Sequence, residues 1–258
     1  MENNAGGFIH PAIPSPPASS VTSPSLTASA LPHPRAQPLK AGSAKETSFI
    51  QYVDRGILDV TRRYAKKFSG EESESGGVRG YERFGEVAGD VDRLVDLVWV
   101  SGTPSLQTPY LLSLALLLTS YLPSFPPAPK PMFRSLHKLD FAFSSLLQGR
   151  NVDSGESLPG FESGRAVTMT EKVRIKSLVE RTRVLVVDLM RNADEMEEEV
   201  EENTTGDDED DDEDDDEGVS TGVRDEVDMD EADKWNMEIA RVYDRTVVEL
   251  GDTLGGNG

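Results

Sequence analysis

Residues 168–191 read TMTEKVRIKSLVERTRVLVVDLMR, and this stretch decides the fold class. Thr168 followed three residues later by Glu171 is a capping box, in which each side chain satisfies a backbone N–H that the first helical turn leaves unpaired. From there Ile175, Leu178, Thr182, Leu185 and Leu189 recur at steps of three and four, and Val179, Val186 and Met190 widen the same face. The spacing predicts a helix with a single polar interruption, Thr182. Val184–Val187 is apolar on every side, which predicts that other helices enclose it. A strand is rejected for this β-branched run because the long period and the cap both favour a helix, and no second strand-like segment exists to pair with it.

Helical spacing recurs along the rest of the chain. Thr47 or Ser48 is read as the cap of a helix to about Ser69, with Phe49, Val53, Ile57, Val60, Tyr64 and Phe68 inward and Arg62, Arg63, Lys66 and Lys67 on its solvated side. A Gly- and Glu-rich loop, 70–80, separates it from a second helix, Tyr81–Val100, with Trp99 at its edge. Thr108–Pro109 reads as an N-cap and first-turn proline for an apolar helix through Leu122. That segment is too short for the roughly 20 residues a bilayer span needs, so it is read as a core helix. Prolines 123–131 break the chain. A fourth helix from Phe133 then ends near Gly149, with His137 at its surface. Residues 149–167 read as a surface loop.

Charge divides the rest. The chain has net charge −21. Between residues 192 and 233 lie 24 of its 47 acidic residues, against the single base Arg224, so the acidity belongs to one segment. Blocks of like charge repel and stay extended. Residues 192–232 are therefore expected to be a disordered linker, and the Pro- and Ser-rich residues 1–46 a disordered tail, its Ser15–Pro16 and Ser23–Pro24 pairs offering sites to a proline-directed kinase. After the linker, Asp230 or Asp233 is read as the cap of one last helix over 233–251, with Trp235, Ile239, Val242, Thr246 and Leu250 on the face that folds back on the domain. The expectation is all-α: a compact bundle of about six helices, with a helical domain over 47–191 and this last helix packed on it.

The chemistry is as informative for what it lacks. There is no cysteine, which excludes disulfides and thiolate zinc sites and suits a reducing compartment. The N-terminus MENNAGG has no basic and apolar signal pattern, so secretion is not expected. No GxxxxGK[ST], GxSxG, HExxH or dinucleotide-binding pattern occurs. His10 and His33 fall in the tail, leaving His137 alone, which cannot build a His-ligated metal site or a catalytic triad. The reading is therefore a non-enzyme with no cofactor and no metal, and the nearly neutral folded part gives no reason to expect nucleic-acid binding.

One resemblance adds to this. The block SLHKLDFAFSSLLQGR (135–150), then TMTEKVRIKSLVERTRVLVV (168–187) and later a Trp-bearing helix, resembles fungal proteins of the family described as subunit eleven of the general transcription factor TFIIH. The resemblance implies a non-catalytic nuclear protein-interaction subunit that contacts the DNA-translocase subunit of TFIIH and modulates its association. On that implication Lys172, Arg174, Lys176, Arg181 and Arg183 are the candidate partner-binding residues. Two other readings stay open: an acidic, chaperone-like binder of basic nuclear proteins, and a recombination accessory protein without an ATPase of its own.

Overall fold

In a computed structural model of the chain, residues 31–68, 79–161, 167–204 and 231–255 are described. They form seven α-helices and one 3-10 turn: α1 (Ala44–Lys67), α2 (Phe84–Val100), α3 (Pro104–Tyr121), the 3-10 turn Leu122–Ser124, α4 (Pro129–Gln148), α5 (Met169–Thr204), α6 (Glu231–Ala240) and α7 (Asp244–Gly255). The all-α expectation holds. The kinase-site pairs in the tail and the densest acidic run, 207–217, lie outside the described residues.

The architecture centres on α4, which packs against α2, α3, α5 and α7. It buries thirteen residues from Met132 to Leu147, so it is buried almost all round. Helices α2 and α7 pack most extensively on α4, α3 and α5 also touch it, and α1 packs against α2. Stacked Tyr64 and Tyr121, ring centroids 3.5 Å apart, tie α1 to the end of α3. Arg63 reaches Asp90 at 2.5 Å and Glu86 at 3.3 Å, and it lies over the Tyr81 ring. The basic side read as solvated is thus partly used inside the fold. The α3 segment is a core helix, with Leu111, Leu114 and Leu118 fully buried, and no helix among the described residues is long and apolar enough to cross a membrane.

Several boundaries differ from the sequence reading for identifiable reasons. Helix α1 starts earlier because Ser43 caps it: the Ser43 hydroxyl accepts from the Glu46 N–H at 3.2 Å, and the Glu46 carboxylate accepts from the Gly42 N–H. Helix α3 starts at Pro104, so Pro109 sits inside it rather than in its first turn. The hydrogen bond Pro109 cannot make would run to the carbonyl of Ser105, and both residues are exposed, which leaves that carbonyl to water. Trp99 is not at an edge but buried, its ring edge-on to Phe141 at 5.8 Å.

Residues 31–43, read as part of a disordered tail, form a strap across the α2–α3 junction. The Arg35 N–H donates to the Val100 carbonyl at 3.1 Å and the Leu39 N–H to the Thr103 hydroxyl at 2.8 Å. Gly102 makes this crossing possible: at φ 54° it holds a left-handed turn, and a Cβ there would stand 3.1 Å from the Arg35 carbonyl oxygen. Nor is 149–161 only a surface loop. Leu158 is buried and donates its N–H to the carbonyl of Gly149, the left-handed C-cap of α4.

The C-terminal part breaks where one helix was expected. Tyr243, a buried non-glycine residue at φ 55°, separates α6 from α7, and α7 continues through Gly251 to Gly255. The break lets two faces dock in different directions. Trp235 of α6 stacks on Phe133 at 5.7 Å, and α7 lies along α4. His137, expected at the surface, is half-buried and 3.0 Å from Glu238 of α6.

Candidate protein-interaction surface

The N-terminus of α5 is set by the capping box read in the sequence. The Thr168 N–H donates to the Glu171 carboxylate at 2.8 Å, and the Glu171 N–H donates to the Thr168 hydroxyl at 3.3 Å. Ile175, Leu178, Val179, Thr182, Val186 and Met190 then form the buried face. The polar interruption has a partner: the hydroxyls of Thr182 and Thr119 meet at 2.9 Å between α5 and α3, and each also lies within hydrogen-bond reach of a carbonyl of its own helix, at Leu178 and Ala115. A buried hydroxyl so satisfied costs little and fixes the register of the two helices.

The opposite face is open. Met169, Val173, Lys176, Glu180, Val184 and Val187 follow one another at steps of three and four and lie on one side of the helix. Exposures of 55% for Met169, 54% for Val173, 63% for Val184 and 46% for Val187 overturn the expectation that Val184–Val187 is enclosed. Helix α5 sits at the rim of the bundle, so only half its circumference meets α3, α4, α6 and α7, and Val184 and Val187 point away from it.

The five candidate cations divide. Arg174 and Arg181 are exposed and form no ion pair among the described residues. Lys176 is exposed beside Glu180 at 3.8 Å, a separation and exposure at which a pair contributes little, on the order of 0.5 kcal/mol. Lys172 is half-buried. Arg183 turns inward instead, donating to the Val242 carbonyl at 3.1 Å at the end of the α6–α7 break. It therefore joins the C-terminal helices to α5 rather than the outer face.

The outer face thus offers an apolar stripe about 27 Å long at 1.5 Å per residue, flanked by Arg174 and Arg181 and interrupted by one Lys–Glu pair. Such an arrangement can bind a surface. Among the described residues no three His, Cys, Asp or Glu side chains cluster as metal ligands. The sequence signal for the apolar part was present, since Val173, Val184 and Val187 share a helical face, but their hydrophobicity pointed to burial.

No curated protein and no solved structure matches this chain. A family match covers residues 80–251, from just before α2 into α7 and including the whole outer face of α5, and by it the chain belongs to the family described as subunit 11 of the general transcription factor TFIIH.

Proposed function

We propose that this TFIIH-associated chain is a non-enzymatic nuclear interaction subunit that docks on the DNA-translocase subunit of TFIIH through the outer face of α5 and modulates its association with the complex. The observation that carries the reading is the juxtaposition of Arg174 and Arg181, which form no ion pair among the described residues, with solvent-exposed Val173, Val184 and Val187 on one helix. Exposed apolar groups aligned on one helical face mark interaction sites, and flanking charge selects the partner and speeds encounter. The partner surface it fits is apolar at its centre and acidic at its edges.

The test is affinity purification of the tagged full-length protein from nuclear extract at moderate salt, with mass spectrometry of what is retained. TFIIH subunits including the translocase are the expected recovery. Arg174→Glu with Arg181→Glu should lower translocase recovery by about tenfold, the loss of roughly 1.4 kcal/mol of binding. Unchanged recovery would reject the α5 face. Histones in place of TFIIH, lost on deletion of 194–217, would favour the acidic, chaperone-like reading.

A further inference from the structure

A second surface lies where the strap and the N-terminal half of α1 meet the C-terminal end of α2, largely outside the part of the chain that matches the family. There a groove of about 590 Å³ opens over Phe49, Tyr52, Leu97 and Val100, with Arg35 and Lys45 at its rim. Its floor is not closed off: Tyr52 is 66% exposed, and Phe49, Leu97 and Val100 are half-buried. The backbone beneath it is held, because the strap is bonded to Val100 and Thr103. The groove is therefore formed before anything enters it, which lowers the ordering cost of binding.

The rim carries two basic side chains. Arg35 and Lys45 are at the surface and form no ion pair among the described residues, while the nearby carboxylates are engaged elsewhere. Glu46 accepts from the Gly42 N–H, and Asp54 accepts from the Tyr110 hydroxyl. An apolar, aromatic-bearing floor between two such cations is the complement of an acidic amphipathic segment: large apolar side chains on one helical face, Asp or Glu on its flanks. We propose that this groove docks such an acidic peptide from a partner protein, its apolar side chains against Phe49 and Tyr52 and its carboxylates toward Arg35 and Lys45. A volume in the range of about 300–1,000 Å³ typical of binding clefts accommodates a few side chains of one helical face.

The probe is a fluorescein-labelled acidic peptide with Leu and Phe at helical spacing i, i+3, i+7, read by anisotropy with the full-length protein. A peptide of the same composition with the apolar residues scattered is the control. The patterned peptide should bind more tightly than the scattered one, and binding should weaken as salt rises. Tyr52→Ala, and separately Arg35→Glu with Lys45→Glu, should each weaken it by about tenfold. These side chains lie at the surface, and circular dichroism would verify that the variants keep the fold. The α5 variant Arg174→Glu with Arg181→Glu should bind like the wild type. The proposal is overturned by equal affinity for patterned and scattered peptides, by binding indifferent to both groove variants, or by weakening confined to the α5 variant, which would place the peptide there. Binding that appears only after deletion of 207–217 would make the chain's own acidic segment the occupant and overturn the assignment to a partner. A failed purification test of the α5 face leaves every arm of this experiment standing.

Discussion

Asp140 is the side chain whose removal tests the packing most directly. It lies on α4, yet it completes the first turn of α7, 106 residues away. The Thr246 N–H donates to Asp140 Oδ1 at 2.9 Å and the Thr246 hydroxyl to the same oxygen at 2.7 Å. Thr246 is the third residue of α7, so its N–H is one of the donors a helix start leaves unpaired. The residue that would ordinarily cap it, Tyr243, has no suitable side-chain acceptor and sits at φ 55°. Asp140→Ala removes a cap, about 1 kcal/mol, and strands the buried Thr246 N–H, about 1–3 kcal/mol, while the Thr246 hydroxyl keeps the Asp140 backbone carbonyl at 3.2 Å as an acceptor. These overlap in one interaction, and together they predict a loss of about 2–3 kcal/mol, or roughly 4–12 °C in Tm for a domain of this size. Asp140→Asn keeps the acceptor and should cost less than about 1 kcal/mol.

Burial pushes the Asp140 carboxyl above its ordinary value, outweighing the Thr246 hydrogen bonds and the nearby Arg245 charge that act to lower it. The folded state then holds its proton more tightly than the unfolded state does. That contribution to stability is full below the ordinary carboxylate range and is lost as pH rises through the raised folded-state value. The amide in Asp140→Asn cannot titrate, so the stability difference between wild type and this variant should move in favour of the wild type as pH falls. Urea unfolding followed by the fluorescence of Trp99 and Trp235, both in contact with α4, measures it across pH. An Asn variant as unstable as the Ala variant, or a harmless Ala variant, would refute the capping argument. A difference that does not change with pH would refute the electrostatic part.

Two further outcomes follow from single contacts. Gly102→Ala should cost about 1–2 kcal/mol, because it places a Cβ at positive φ against the Arg35 carbonyl; limited proteolysis should then cleave within 31–43 sooner than in the wild type. In a spectrophotometric titration, three of the six tyrosines should resist ionisation while the protein stays folded. Burial, then a hydrogen bond to Asp54, pushes Tyr110 up to about 12, and burial above all raises Tyr81 and Tyr243 further. The folded state's preference for the neutral phenols is lost as pH climbs through these raised values, so all the tyrosines ionising together near the ordinary value of about 10 would contradict the burial assigned to them.

Local chemistry determined much of this protein from sequence alone. Helix type follows from a period of about 3.6 residues and from caps that act within a turn, so the all-α class, the Thr168–Glu171 start of α5 and its inward face through Met190 were legible. The same locality allowed errors where two nearby signals competed: Thr108–Pro109 imitates a helix start, and the cap that operates is at Ser43 rather than Thr47 or Ser48. The cations of α5 were also legible, but their division was not, because only the approach of Val242 turns Arg183 inward. Tertiary structure alone decided that α4 is the central helix, that α5 lies at the rim with Val184 and Val187 exposed, and that the strap 31–43 is seated by Gly102. It alone decided, too, that the C-terminal helix breaks at Tyr243 and is capped by Asp140. Each of these depends on groups far apart in the chain whose meeting is set by which faces bury together, and hydrophobic periodicity gives each helix an inward side without naming the helix that will cover it.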